Sequence, residues 1–460
     1  MDYYKVPQPL QTPGSDRLAE IMQSLLEKGK GFSSLTLDSV SPYLGWEKFN
    51  QKHKIGSLNI AKEELTSSEA WLLVTTLRRL SGNESPIHDT EGEVFWWGKH
   101  VAHEKLLHEF DMNLGGNMAS GTASLSKRSR ERFLRQSLIE EAIASSQLEG
   151  AATTRERAKK MFVENRKPTS KDEWMIFNNY QTIKKIEEEA ANYSLSRDVL
   201  LSLHETMVEN TFSKEDRDKI GRWRNDNDDI VVRLQKNNEL YISHVPPKEK
   251  QLQKELDKLI AFANDEDLPG QPEFLHPIVK AIMLHFWFAY LHPFCDGNGR
   301  LSRSLFYWYL LRQGYWLISY VPISTVIKKS PTQYSDAFVF SEQYNNDLTY
   351  FLDYNLRKIE QAFRMFDEHI EHVKKKALEI DKLLPDQDLN NRQKQVIHHL
   401  LGKPDGKVTV TQHGNFHEVG WITANKDLKD LHTRGYLESS RKGREIYYQA
   451  SPKLQGFLKE

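Results

Sequence analysis

Helical spacing of apolar residues dominates this chain, and two neighbouring stretches are apolar enough to predict buried helices. The first runs from about Ile278 to Leu291, with Pro277 at the opening position where its missing N–H costs nothing. The second starts near Gly297 or Asn298 and passes through Leu305, Phe306 and Leu310 to Gly314, a C′ glycine. The same spacing predicts helices at Asp16–Glu27, Lys62–Leu80, Lys127–Gly150, Ala158–Val163, Trp174–Ile186, Val199–Val208, Lys248–Phe262, Pro331–Glu342 and Leu348–Ile380. Alternation replaces it at Ile230-Val231-Val232-Arg233-Leu234 and at Leu240–His244. The polar turn Gln235–Asn238 between them makes a β-hairpin. Residues 1–110 carry no assignable chemistry; Phe95-Trp96-Trp97 reads as packing surface, and residues 115–124 as a Gly- and Ser-rich loop. The expected class is therefore mainly α, with a small hairpin in the core.

Beyond Asp381–Asn390, an acidic linker with Pro385, the pattern changes. A helix at Arg392–Leu401 precedes Val408–Thr411, a second helix at Thr423–Arg434, and two β-type runs around Arg441-Lys442-Gly443-Arg444. Helix, helix and a basic-tipped hairpin are similar to a winged helix. Its second helix offers Thr423, Asn425, Lys426 and Lys429 but also Asp427 and Asp430, which leaves DNA contacts and protein contacts both open. The predicted layout is 1–114 N-terminal helical region, 115–380 core, 381–390 linker and 391–460 winged-helix-like domain.

Composition narrows the picture in two ways. A net charge of −1 over 460 residues supplies no global field for nucleic acid or membrane, and the start of the chain lacks a signal peptide. Charged residues at 28% and a mean hydropathy of −0.64 suit exposed helices, and no segment approaches a membrane span. The single cysteine, Cys295, excludes internal disulfides and cysteine-built zinc sites and fits a reducing compartment. A cytoplasmic protein is expected.

Chemistry concentrates between the two apolar helices, in His292-Pro293-Phe294-Cys295-Asp296-Gly297-Asn298-Gly299-Arg300-Leu301-Ser302-Arg303. A Gly-Asn-Gly turn feeding a helix start offers unpaired N–H groups and the positive end of a helix dipole, a site for phosphate. Arg300 and Arg303 lie one turn apart and could serve one polyanion. Asp296 adds a hard oxygen suited to Mg²⁺. His292 is the group that can exchange a proton near neutral pH, hence the candidate general base. Cys295 reads as packing. Upstream, Gly150 would cap the helix that begins at Lys127. Glu149 then sits at the negative end of its dipole, disfavoured unless a cation answers it, with Ser145 four residues earlier on the same face.

The stretch His292–Arg303 resembles the signature of Fic-domain proteins, and the resemblance extends over roughly residues 110–380. It implies an all-α core and transfer of AMP from ATP to a Ser, Thr or Tyr hydroxyl of a target protein, the enzyme itself included. His292 would take the hydroxyl proton and Asp296 would hold Mg²⁺. Gly297, Asn298, Gly299, Arg300, Leu301, Ser302 and Arg303 would line the phosphates, and Tyr334 would lie near adenine or ribose. Gly299 stands where the related Doc kinases carry Lys, which favours nucleotidyl transfer. Ser145-x-x-x-Glu149-Gly150 resembles the inhibitory helix of this family (about 131–150), whose glutamate would pair with Arg303. The hairpin (about 229–244) resembles the flap that pins a target by strand addition, with Ile230, Val231, Val232, Tyr241 and Ile242 along it. Homodimers are common for this layout. Two other readings stay open: hydrolysis of an AMP–protein bond by Glu149 and His292, and a nucleotide-sensing winged-helix regulator.

Overall fold

The computed structural model describes residues 1–10, 14–27, 44–58, 65–98, 101–115, 127–269, 272–383, 388–401, 406–443 and 445–456. Its helices in chain order begin with α1 (Ser15–Glu27), α2 (Trp46–Lys54), α3 (Ser67–Leu80) and, after a hairpin β1 (Gly82–His88)–β2 (Val94–Gly98), α4 (Val101–Phe110). The core follows as α5 (Lys127–Leu148), α6 (Arg155–Val163), α7 (Lys171–Glu189) and α8 (Arg197–Val208). The hairpin β3 (Val232–Lys236)–β4 (Glu239–His244) precedes α9 (Glu249–Ala263), α10 (Pro277–Leu291), α11 (Asn298–Arg312), α12 (Ile323–Ile327), α13 (Pro331–Gln343) and α14 (Thr349–Leu383). The C-terminal unit is α15 (Asn391–Leu401), β5 (Val408–Thr409), α16 (Val410–His417), α17 (Trp421–Thr433), β6 (Leu437–Lys442), β7 (Glu445–Ala450) and α18 (Pro452–Gly456).

The paired helices α10 and α11 form the centre. Ile278, Ala281, Ile282, Phe286, Leu291, Leu301, Leu305 and Leu310 are all buried, and one continuous core cluster joins them to α8, α9 and α14. Pro277 opens α10, and the His276 side chain accepts from the Ile278 N–H at 3.2 Å. Gly314 at φ 87° supplies the left-handed turn that ends α11. The predicted core helices are therefore present with their apolar faces inward.

The N-terminal region is less separate than its sequence implied. Trp46, Phe49 and Trp71 share a second core cluster with Val339, Tyr344 and Tyr350 of α13 and α14. Phe95, Trp96 and Trp97 are buried on β2, as packing surface should be. Arg78 of α3 reaches Asp347 at 3.4 Å and the Tyr350 hydroxyl at 3.1 Å in a wholly buried contact. The predicted start of α3 at Lys62 lies outside the described residues, as do residues 116–124 of the expected loop.

Three strand expectations change. Ile230 and Val231 precede β3 instead of lying in it, because the ladder ends at Val232↔His244, where the partner strand gives way to Val245-Pro246-Pro247. Asn237 and Asn238, both at positive φ (52° and 65°), make the two-residue turn that sets the register Leu234↔Tyr241. Thr411, expected in a strand, lies in α16, where Thr409 caps the helix by accepting from the Gln412 N–H. The C-terminal sheet has strand order β5-β7-β6. On α17, Asp427 and Asp430 face inward to Arg392, Gln393 and Arg434. Among the described residues no helix is long and apolar enough to cross a membrane.

The Arg78–Asp347 pair ties the N-terminal region to α14. Arg78→Ala should cost about 3–5 kcal/mol by stranding a buried carboxylate. Urea unfolding of the full chain checks this; a loss below about 1 kcal/mol would assign the pair no structural role.

Candidate active site

His292 ends α10 in a left-handed conformation (φ 47°, ψ 57°) that a non-glycine residue holds only under constraint. Arg224 supplies the constraint. Its Nε donates to the His292 carbonyl at 2.7 Å, and its Nη2 donates to the carbonyls of Pro247 (2.6 Å) and Leu291 (3.1 Å). Below the turn Phe294 is fully buried between two rings, His204 at 3.7 Å and Trp223 at 4.8 Å. The His204 Nε2 meets the Asp296 carbonyl at 3.1 Å. Asn298 closes the loop, accepting from the Phe294 N–H at 2.9 Å and donating to the Phe294 carbonyl at 2.8 Å.

The imidazole of His292 is oriented for proton acceptance. Its Nδ1 lies 3.3 Å from the Ala289 carbonyl, which only accepts, so the proton sits on Nδ1 and Nε2 carries the lone pair. Burial, then the positive charges of His244 and Arg224, lowers its pKa to about 4 from the ordinary 6.5. The ring is neutral throughout the physiological range.

Glu149 meets α11 head-on. A Cβ at Gly299 would stand 2.0 Å from Glu149 Oε1, so the carboxylate lies on the first turn of α11, where unpaired N–H groups and the helix dipole attract an anion. Arg303 Nη2 donates to Glu149 Oε1 and to the Ser145 carbonyl, both at 2.9 Å, and its Nε donates to Ser145 Oγ at 2.9 Å. The cation that a carboxylate at the end of α5 requires is thus Arg303. Gly150 follows at φ 94°, a backbone that favours glycine. Burial opposes the charge on Arg303, and Glu149 and Tyr334 together more than offset it.

Tyr334 lines the same cavity, and its hydroxyl is engaged by two side chains. Arg303 Nη1 donates to its hydroxyl at 3.4 Å, which leaves that hydroxyl to donate to His285 Nε2 at 2.8 Å. Burial, with Arg303 nearby, holds His285 well below its usual range, so it is a neutral acceptor. The Tyr334 hydroxyl thus bridges Arg303 and His285.

Glu149, His292, Gly299, Arg303, Tyr334 and Glu342 line one cavity of 170 Å³. Small-molecule pockets run to about 300–1,000 Å³, so with Glu149 in place this space is smaller than a typical ligand pocket. A larger cleft of 640 Å³ lies between α5, α6 and the C-terminal unit. It holds none of the residues of the His292–Arg303 loop, and the smaller cavity brings His292, Arg303 and Glu149 together.

Not every expected side chain faces that space. Arg300 is fully buried, donating to the Met207 carbonyl at 3.1 Å and reaching Asp296 at 3.4 Å. Leu301 belongs to the core, and Ser302 turns its hydroxyl to the Gly299 carbonyl. Gly297, at φ 88°, caps α11 and packs against Val208. Asp296 is partly exposed; its Oδ1 also accepts from the Gly297 N–H. The described residues hold no cluster of three or more His, Cys, Asp or Glu fit for a metal. Asp296 could therefore give a single oxygen ligand to an ion held mostly by phosphates and water. Cys295 has its thiol pushed up to about 11 by burial and Asp228, which suits packing over attack.

On the flap, Val232, Arg233 and Leu234 of β3 line the cavity. The outer edge of β4 is not open. Ile242 N–H donates to the Asp2 carbonyl at 2.9 Å, and its carbonyl accepts from the Tyr4 N–H at 2.8 Å. The Tyr4 ring lies 5.7 Å from that of Tyr241. Tyr241 and Ile242 thus border the chain's own N-terminal segment, and β3 carries the edge without a strand partner among the described residues. Sequence reading missed His204, Arg224 and His244. Only Gly221-Arg222-Trp223-Arg224, cationic and aromatic beside a hairpin, hinted at one of them.

Fold and site together define a helical domain built round an anion-accepting helix start with a neutral imidazole beside it. Residues 194–310 match the model of the Fic/DOC family, so the chain carries a Fic domain. The chain is 31% identical over 157 residues to a protein adenylyltransferase Fic of Nematostella vectensis, covering 34% of this chain and 31% of that protein. A protein adenylyltransferase Fic of Drosophila mojavensis is 37% identical over 79 residues, 17% of this chain and 15% of that protein. The chain spans less than a third of the length of these curated relatives (31% and 15%). A Fic family protein from Desulfovibrio desulfuricans superposes with a TM-score of 0.48 at 19% identity, covering 77% of this chain and 97% of that one. A fragment of Fic-1 from C. elegans gives 0.47 at 15% identity, covering 79% and 90%.

Asn298 is a loop staple by this geometry. Asn298→Ala should destabilise the full chain by about 2–4 kcal/mol, since it strands a buried N–H and carbonyl at Phe294. Denaturant unfolding reads this directly; an unchanged midpoint with impaired phosphate binding would make Asn298 a ligand instead.

Proposed function

We propose that this chain is a protein adenylyltransferase that moves AMP from ATP to a Ser, Thr or Tyr hydroxyl of a target protein, itself included, under restraint by Glu149. The observation that carries the reading is the Glu149 carboxylate seated on the head of α11 and paired with Arg303, in the cavity that His292 enters. A carboxylate there stands in for a phosphate.

In the reaction, the target hydroxyl oxygen attacks the α-phosphorus in line, the bond to the bridging oxygen breaks, and pyrophosphate leaves. His292 Nε2 takes the hydroxyl proton. Asp296 would hold Mg²⁺, which when bound neutralises phosphate charge. The first-turn N–H groups of α11 and Arg303 bind the phosphates, and β3 aligns the target backbone by strand addition. Positioning and charge neutralisation provide most of the rate.

Hydrolysis of an AMP–protein bond uses the same two groups, with Glu149 orienting water. It asks His292 to protonate a leaving oxygen, whereas the Nδ1 contact with the Ala289 carbonyl leaves a lone pair on Nε2, the arrangement for proton acceptance. Transfer is the better match. A sensor without turnover has no use for the oriented lone pair on His292. The single cysteine suits a reducing, cytoplasmic setting. For the C-terminal unit we read a winged helix. The exposed Thr423, Lys426 and Lys429 of α17 make duplex DNA a candidate partner, and homodimerisation is carried over from the resemblance alone.

Intact mass after incubation with ATP and Mg²⁺ tests the reading. Glu149→Gly should raise adenylyl incorporation by up to about a thousandfold, the equivalent of the roughly 4 kcal/mol a charge pair is worth at an effective dielectric of 20. His292→Ala should abolish it. Wild-type incorporation equal to that of Glu149→Gly removes the restraint, and incorporation surviving in His292→Ala removes the base.

The acid limb follows from the same imidazole. His292 works as the neutral form, so Glu149→Gly activity should stay flat from pH 8 to 6 and fall only as pH approaches about 4. An acid limb at the ordinary 6.5 would contradict the buried, neutral base.

A further inference from the structure

His244, the last residue of β4, has no role in the reaction above, yet its ring is buried and both nitrogens are engaged. Nε2 lies 2.7 Å from the Tyr290 carbonyl, and Nδ1 lies 2.8 Å from Glu342 Oε2. A carbonyl can only accept, so Nε2 carries a proton. Nδ1 and Glu342 then share one more, and imidazole outcompetes carboxylate for it by about two pK units in their ordinary ranges. The ring also lies 4.4 Å from the Tyr290 ring, a neighbour that favours a cation.

We propose that His244 is a charged positioning residue: an imidazolium held by Glu342, it fastens the flap to α10 and α13 and presents a fixed positive charge to the cavity that His292 enters. The inference rests on the reading of His292 as the base. The attachments are specific. Tyr290 lies two residues before His292, and α13 also carries Tyr334, the partner of Arg303. One ring therefore couples the strand that would receive a target to the base and to the phosphate-binding arginine.

The surrounding charges are few. Glu342 comes from α13, Tyr290 and His292 from the end of α10, and Arg224 from the segment before β3. Tyr3, in the N-terminal segment, feels Glu342, and Asp89 acts on Tyr290. Burial works against the charge on His244, and Glu342 with the Tyr290 carbonyl more than offsets it, lifting its pKa above the usual value. That charge in turn opposes protonation of His292.

The first test needs no turnover. In the full chain with ¹⁵N-labelled histidine at pH 7.5, both ring nitrogens of His244 should resonate as protonated. His244→Gln assigns the signals, and Glu342→Gln should convert the ring to a neutral tautomer. A neutral ring in the wild type overturns the proposal. Amide exchange gives the anchoring: residues 232–244 should exchange faster in His244→Gln while α11 is unchanged, and equal flap exchange overturns it.

The second test uses Glu149→Gly as background. Adding His244→Gln should lower kcat for transfer about ten- to a hundredfold and move the acid limb upward toward 6.5. An unmoved limb contradicts the electrostatic role. If no variant transfers AMP while His244 is found doubly protonated and the flap loosens on its replacement, the transferase reading fails and the positioning role stands.

Discussion

A guanidinium sealed behind the first turn of a buried helix must be answered by anions or carbonyls, and Arg303 is only 3% exposed. The structure answers it with the end of α5. Two of the acceptors, Ser145 Oγ and the Ser145 carbonyl, belong to a helix C-terminus, whose dipole already favours a cation. Another, Glu149, is a carboxylate, and it takes the space above Gly299 at the head of α11, where the helix dipole attracts an anion. Two anions cannot occupy one anion site. The proposed competition rests on the contacts of one arginine and one helix head, and it needs no change of fold.

The loop that carries the base depends on residues far from it in sequence. His292 stays left-handed because Arg224 holds the carbonyls of Leu291 and His292 from outside the turn. Phe294 stays inside because His204 and Trp223 stack on its two sides. The motif is thus the visible part of a larger construction spanning α8, the approach to the flap and both central helices. Strain at His292 and the direction of its lone pair share one cause, since the same turn brings Nδ1 to the Ala289 carbonyl.

Much of this was legible in the chain itself. The central helices were readable because apolar residues cover them, and the loop between them because glycines, acid, base and arginines crowd one short span. Glu149 was legible as an anomaly, a carboxylate at the wrong end of a dipole. What could not be read was direction. Arg300 and Arg303 are one turn apart in sequence, yet Arg300 turns to the Met207 carbonyl and Arg303 to Glu149. Spacing on a helix fixes a face only to within the width of a long side chain. Tyr334 was legible as an aromatic ring and not as the hydroxyl that bridges Arg303 and His285. The β4 edge looked free because a pairing with Asp2 and Tyr4 spans nearly the whole core in sequence and leaves no local pattern. His204, Arg224 and His244 are single residues whose partners come from other elements, so periodicity is silent about them.

How Glu149 could leave is constrained by what holds α5. Near its middle, Glu141 is fully buried and accepts from the Ser324 N–H at 2.8 Å and from the Ser324 hydroxyl. Toward its start, the Arg132 guanidinium lies 3.6 Å from the Phe416 ring and donates to Gln395 of the C-terminal unit. Ser146 is buried and gives its hydroxyl to the Met175 carbonyl. The helix is therefore pinned along its length up to the turn before Glu149. Beyond that turn the Glu149 side chain is 30% exposed, against 4% for the arginine it grips. Withdrawal by rotation of one side chain costs a single charge pair, while removal of the helix would break the Glu141 and Ser146 contacts as well. The Glu149–Arg303 contact is thus the part of this helix end that a single rotamer change can release.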